Sequence, residues 1–378
     1  MQQQCFPTKY NQVIARIENL DPIAYARSRN YVDGAVTYLS PYISRGVIST
    51  RQVLQTVLAK GYTIEQSHKL IQELAWREYF QRVWQNIEDD IFEDIRNIHT
   101  GITNRKIPAA ILEASTGIKT VDEGISTLYE TGYMHNHLRM YVASLTCNIA
   151  RSYWDAPSRW MYYHLLDGDI ASNTCSWQWV AGSFSGKQYF ANQENINKYT
   201  GSQQQGTFLD KSYEELPVSA VPEKLATYTM ADLNTNLPQT QTPVLNNDLP
   251  LLIYNSYNLD PEWRKEIKAN RILLLEPSHF RQFPVSDKVI RFILSLAENI
   301  EGIQVFTGEI NEIPGLRDVP AVYAKEHTAF SHYPGIKDER DWLFPEVKGL
   351  FPSFFSYWKR CEQQLKKYYA KEFVLQRA

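Results

Sequence analysis

The stretch YYHLLDGDIASNTCSWQWVAG, residues 162–182, crowds two acids, one asparagine and two tryptophans almost without spacers. A pocket for a redox cofactor with an electron relay needs that mixture. Asp167 and Asp169 flank Gly168 where the pattern predicts the end of a helix. A glycine there lets the chain turn, and the acids can hold hydroxyl or amine groups. The competing reading is a solvated turn. A calcium loop fails: counting from Asp167, the glycine position holds Ser172 and the closing glutamate position holds Gln178. Trp177 and Trp179 stand one residue apart, so on a helix they point about 200° from each other. They cannot both be ordinary core, and one of them faces something other than protein.

Two further groupings have chemical types at helical spacing. Glu73 and Arg77 lie at i and i+4, which read alone is a surface pair worth about 0.3–0.5 kcal/mol. Asn136, Arg139 and Met140 share a face at i, i+3 and i+4, opposite an apolar stripe; taken alone, such a face is solvated.

The elements that must position these groups are legible from apolar period. In residues 65–88, Leu70, Ile71, Leu74, Ala75, Tyr79, Phe80, Val83, Trp84 and Ile87 recur at threes and fours, predicting a helix buried along one stripe. Residues 135–151 repeat the pattern through Leu138, Tyr141, Val142, Leu145 and Ile149, and Pro157 fits the first turn of a helix ending near Asp167. From 201 to 249 the composition turns to Gln, Thr, Asn, Pro and Ser, as expected of an exposed connector. Beyond it, apolar runs at 251, 271, 303 and 321, with the helical pattern DKVIRFILSLAENI between the second and third, predict a parallel α/β sheet.

At 378 residues the chain is long enough for two domains. Its net charge of −3 gives no general attraction to phosphates, and residues 1–205 hold 19 basic and 19 acidic side chains, so nucleic-acid binding would need a local patch. Cys5, Cys147, Cys175 and Cys361 are far apart, which suggests neither a zinc site nor a disulfide framework, and no metal is expected. No run approaches the length of a membrane helix and MQQQCFPTKY lacks a signal pattern. No membrane association is expected, and a cytoplasmic location is the default.

The 162–182 stretch resembles the flavin-binding domain of DNA photolyases and cryptochromes, in which a DGD…N…WQW segment wraps the flavin. Three more blocks agree in the same order: Tyr25 followed by VTYLSPYISRGVIST at 36–50, ELAWREYF at 73–80 and TGYMHNHLRM at 131–140. The resemblance implies a mainly α FAD-binding domain over 1–205, a linker over 206–248 and a smaller α/β Rossmann-like domain over 249–378. In the family an antenna domain precedes the flavin domain. Here the order is reversed, and the C-terminal segment resembles that antenna domain, which implies a circular rearrangement and a second antenna chromophore of unspecified kind.

The resemblance also implies roles. Tyr25, Val36, Thr37, Tyr38, Leu39, Ser40, Arg77, Asn136, Arg139, Asp167, Gly168, Asp169 and Asn173 would contact FAD, with Asn173 at the position that faces the flavin N5. Glu73, Trp76, Arg77, Asn136, His137, Met140 and Trp179 would meet damaged DNA. Glu73, Asn173, Trp177 and Trp154 would carry the chemistry, the two tryptophans as inner and middle members of an electron relay. The outer relay position falls at Ile111, leaving Trp160, Tyr162 or Tyr163 as substitutes, or a relay that ends early. A second departure is His137, where cyclobutane-dimer photolyases carry arginine; histidine lacks the permanent, two-pronged charge that grips phosphate. The expected function is light-driven splitting of cyclobutane pyrimidine dimers by a photolyase-like lyase. The alternatives are a cryptochrome-like light-responsive FAD protein without repair activity, and a helical scaffold with no flavin.

Overall fold

The computed structural model describes residues 6–375, with side chains to residue 367; Cys5 lies outside the described residues. Helices in the first part are Tyr10–Glu18 (α1), Pro22–Ser28 (α2), Ser40–Ser44 (α3), Thr50–Ala59 (α4), Ile64–Ile87 (α5), Ala109–Leu112 (α6) and Lys119–Thr131 (α7). They continue as Asn136–Ser144 (α8), Asp155–His164 (α9), Ile170–Ala181 (α10) and Gln193–Thr200 (α11). The last part holds Pro277–Gln282 (α12), Asp287–Ala297 (α13) and Phe354–Leu375 (α14).

The predicted helix at 65–88 is α5, started by a reciprocal cap between Thr63 and Gln66. Its burial exceeds one stripe: Glu78, Gln81 and Arg82 are buried as well. The reason is position, since α2, α10 and α14 all pack on it. The helix predicted over 135–151 is α8, which widens into a π turn at Leu145–Ile149. The helix expected to end near Asp167 ends at His164, and Asp169 caps the next helix by accepting from the Ser172 N–H at 2.8 Å. Gly168 stands between the two helices without a positive φ, its N–H closing a turn on the Leu165 carbonyl at 3.0 Å. Its side is crowded: a Cβ there would meet the Leu165 carbonyl oxygen at 3.1 Å and the Tyr162 ring at 3.2 Å.

Strands Ile107–Pro108 (β1) and Tyr228–Thr229 (β2) form a small antiparallel pair. The main sheet is parallel throughout, built from Leu251–Tyr254 (β3), Asn270–Leu275 (β4), Ile303–Thr307 (β5), Val322–Lys325 (β6) and Ile336–Asp338 (β7), in the order β5-β4-β3-β6-β7. All four predicted runs are strands, and β3 is buried along its whole length, as a strand covered on both faces must be. The short edge strand β7 is partly exposed and polar, so no apolar run announces it. The order reverses between β3 and β6, which leaves a crevice outside their carboxyl ends.

The segment 201–249 contains exposed residues but is tied down. The pair β1·β2 holds it to the helices, the Thr235 hydroxyl donates to the Val285 carbonyl at 3.0 Å, and Val244 exchanges backbone hydrogen bonds with the Gln304 amide. One apolar core runs from α1, α4 and α5 into the sheet and α14, and a second lies among α6–α11. No described helix is long and apolar enough to cross a membrane.

Candidate functional site

A cavity of about 660 Å³ opens between α2, the loop entering α3, α5, α8 and α10, a size suited to a large organic ligand. Each wall has a local cause. Asp21 caps α2 by accepting from the Ile23 and Ala24 N–H groups, which presents Tyr25 inward. Tyr38 holds a positive φ of 52°, a costly backbone state for an aromatic residue, beneath the rings of Phe6 and Tyr133 at 6.3 and 5.3 Å. His135 caps α8: its Nδ1 accepts the His137 N–H at 3.2 Å while Nε2 lies 3.1 Å from the Arg29 carbonyl oxygen, so Nε2 carries the proton.

Of the residues expected at the flavin, Tyr25, Val36, Thr37, Tyr38, Ser40, Arg77, Asn136, Arg139, Asp167, Asp169 and Asn173 all line this cavity. Leu39 and Gly168 stand behind it: Leu39 is 1% exposed, and the Gly168 carbonyl accepts from the Ser44 hydroxyl at 3.1 Å. Every residue expected at DNA, namely Glu73, Trp76, Arg77, Asn136, His137, Met140 and Trp179, is in the lining too. Trp177 reaches the cavity from the buried side and Trp179 from the half-exposed side, packed on Tyr189. Trp154 lies deeper, wholly buried, its indole N–H donating to Asp94 at 2.7 Å.

The acids are already answered by protein. One Arg139 amino group donates to both oxygens of Asp167, at 3.0 and 2.8 Å. Asp169 accepts from Arg77 at 2.9 Å and from the Gln81 amide at 2.7 Å. The two carboxylates hold two arginines at the cavity wall. Glu73 and Arg77 do not pair with each other. Glu73 accepts from Arg29 at 3.2 Å and Lys69 at 2.9 Å. Trp76 is engaged as well, stacked at 3.6 Å and 9° on Phe354 from α14. Asn173 anchors its amide on the Ser158 carbonyl at 2.9 Å while bordering the cavity.

Several lining residues escaped the sequence. Arg29, Lys69, Tyr133, His135 and Ser172 belong to the wall. Tyr133 and His135 sit within the TGYMHNHLRM block and Ser172 within the 162–182 stretch, and all three were findable there, whereas Arg29 has no local signature. Burial and the neighbouring His137 push His135 down to about 4, and burial with Arg29 lowers His137 too. Both rings are therefore neutral near pH 7.

The donor set fits FAD. Arg77 and Arg139, held by buried acids, and the Thr37 and Ser40 hydroxyls suit a pyrophosphate and polyol; Tyr and Trp rings suit flat heterocycles; and the Ser172 hydroxyl is buried in the wall without a protein partner.

Residues 70–250 match the family model described as the FAD binding domain of DNA photolyase. The chain is 33% identical over 162 residues to a deoxyribodipyrimidine photo-lyase of Vibrio cholerae, covering 40% of this chain and 34% of that protein. With the same enzyme of Salmonella typhimurium it shares 31% over 195 residues, covering 47% and 40% respectively. The matches thus span well under half the length of these relatives. Among solved structures, a Synechocystis cryptochrome aligns with a TM-score of 0.47 at 24% identity, covering 52% of this chain and 44% of that one. A class III photolyase of Agrobacterium tumefaciens aligns with a TM-score of 0.46 at 25% identity, covering 51% and 43%.

Proposed function

We propose that the helical part of this chain, whose residues 70–250 match the photolyase FAD-binding model, is a flavin domain of the DNA photolyase/cryptochrome kind, and that the protein is a light-dependent lyase that splits cyclobutane pyrimidine dimers in DNA. The observation that carries the reading is the convergence on one cavity of Arg77, Arg139, Asn173, Trp177 and the rim residues Glu73, Trp76 and Met140, which come from three separate helices. The division into a flavin domain over 1–205, a linker over 206–248 and an α/β domain over 249–378 is part of the same proposal. So is the assignment of a second chromophore to the crevice of about 290 Å³ beside Tyr257, Asn258 and His327, at the carboxyl ends of β3 and β6.

Reduced FAD, when bound, supplies the light-released electron that opens the dimer and receives it back. The chain's own residues do the rest. Arg77 and Arg139 hold the anionic part of the cofactor, and Asp169 and Asp167 keep those guanidinium groups from swinging out. Asn173, neutral and anchored on Ser158, offers an amide to the ring without adding charge. At the rim, Trp76, Met140 and Trp179 give apolar walls for a dimer turned out of the duplex, a turn made easier by the lesion's poor stacking. Arg29 and Lys69 neutralise Glu73 beside that entrance, so it does not repel the DNA backbone.

One observation favours a cryptochrome-like reading without repair. His137 is packed on Tyr199 with ring centroids 5.0 Å apart and is neutral, where an arginine would grip phosphate. The deciding experiment illuminates the reduced, FAD-loaded protein with a dimer-containing oligonucleotide and follows the pyrimidine absorbance that returns on splitting. Recovery supports the lyase. No recovery, in the wild type and in His137→Arg alike, assigns the protein to the non-repairing branch.

A further inference from the structure

The sequence leaves the surface end of the relay open, and the structure fills it from an unexpected side. Asp94, in the loop after α5, places one carboxylate oxygen 2.7 Å from the Trp154 indole N–H and 3.3 Å from the Tyr153 phenol, both of which donate to it. Its other oxygen accepts the His99 backbone N–H at 2.9 Å, which fixes the carboxylate. The Tyr153 ring lies 5.4 Å from the Trp154 ring, and its neighbours on the outer side are His99, stacked at 5.8 Å, and the exposed Arg105, 4.3 Å from its centroid.

We infer that Tyr153 is the terminal electron donor of the Trp177–Trp154 relay and that Asp94 receives its phenolic proton. The inference rests on the flavin reading of the cavity, whose wall includes Trp177; Trp177 and Trp154 share one buried core. The other aromatic residues near Trp154 in sequence lack such a base. The Trp160 indole donates to the Tyr129 hydroxyl, Tyr162 shares a hydrogen bond with Tyr257, and Tyr163 donates to the Asn234 carbonyl. A phenol gives up an electron readily only when its proton has somewhere to go, and a carboxylate in hydrogen-bond contact is such a place.

With FAD bound, Trp177 would give one electron to the photo-excited oxidised isoalloxazine, which would be the oxidant. Trp154 refills Trp177, and Tyr153 refills Trp154. The Tyr153 O–H bond breaks as its electron leaves, the proton bonds to the Asp94 carboxylate, and a neutral phenoxyl radical remains. An external thiol then returns one hydrogen atom to the phenoxyl oxygen, and Asp94 releases its proton to water. Burial pushes the Tyr153 phenol up to about 12, so the proton is present at neutral pH. Arg105 selects the coupled route, because a cation over the ring disfavours a ring cation and leaves a neutral phenoxyl unaffected.

The test illuminates FAD-loaded, thiol-free protein, freezes it and records the radical by electron paramagnetic resonance. The expected wild-type spectrum is tyrosyl. In Tyr153→Phe it becomes tryptophanyl and the yield of flavin reduction on return of thiol falls at least fivefold, while FAD content and melting midpoint stay at wild-type values. Asp94→Asn also loses the tyrosyl signal. In the flavin-free protein the Trp154 indole N–H resonance moves in Asp94→Asn, which reads the carboxylate contact without any cofactor. A tryptophanyl radical in the wild type, or an unchanged spectrum and yield in Tyr153→Phe, overturns the inference. A folded chain that takes up no flavin overturns the cavity reading and this inference with it, while the indole resonance would still respond to Asp94→Asn.

Discussion

Glu73 and Glu78 stand five residues apart on α5 and face two different worlds. Glu73 borders the cavity, 30% exposed, and is answered by the long side chains of Arg29 and Lys69. Glu78 is turned to the seam with the C-terminal part, 2% exposed, and is answered by the Thr50 hydroxyl at 2.8 Å and the Phe344 backbone N–H at 3.1 Å, with the Leu343 N–H closer still. Cations on flexible stems can re-aim when a ligand arrives; backbone donors cannot. One face of the helix is therefore suited to binding, and the other fixes the sheet and α14 against the helices.

The sharpest way to break this contrast is Glu78→Ala, which strands a hydroxyl and two backbone N–H groups at a buried position. It should destabilise the fold by about 3 kcal/mol, read as a shift of the urea midpoint. An effect close to that of a surface substitution would mean the seam is wet. Next comes Asp167→Asn, which leaves Arg139 without its buried counter-charge. FAD retention should weaken about tenfold, roughly 1.4 kcal/mol, by fluorescence titration, with little change in the secondary-structure spectrum.

Acidification probes the cavity side again through histidine. His135 is pushed down to about 4 by burial and His137, and His164 to about 4 by burial and Lys288. Unfolded histidine titrates near 6.5, so between those values the unfolded chain binds more protons and stability rises with pH. The contribution is complete above about 6.5 and is lost as pH falls through about 4. Melting midpoints between pH 7 and pH 4 should fall, and less steeply in His135→Gln; equal slopes would remove His135 from the account. The smallest effect is expected for Glu73→Gln, under about 0.5 kcal/mol in the same urea assay because the pair is partly solvated, yet with altered affinity for dimer-containing DNA.

How far the sequence reaches follows the same divide. The stripe Leu70–Ile87 announced α5, and the polar face of Asn136, Arg139 and Met140 does reach the cavity, because a face of one helix is set by local period. The apolar runs likewise announced β3 to β6, while the polar Ile336–Asp338 edge gave no signal. What stayed hidden are pairings across long loops. Arg29 finds Glu73 across 44 residues, Asp94 finds Trp154 across 60, and Glu78 finds Leu343 across 265. No spacing rule encodes those. The 162–182 stretch supplies part of the cavity wall, but the use of its acids depends on arginines from α5 and α8, and Gly168, whose N–H closes the expected turn on the Leu165 carbonyl, also lies tight against Tyr162.

Flavin binding is assigned to the cavity framed by Arg77, Arg139 and Asn173. Its most direct test is to reconstitute purified protein with FAD, remove excess and quantify what denaturation releases, in the wild type and in Arg139→Ala. One FAD per chain in the wild type, and a marked loss in the variant with its fold intact, is the predicted result. A folded wild-type chain that stays colourless after reconstitution contradicts the account.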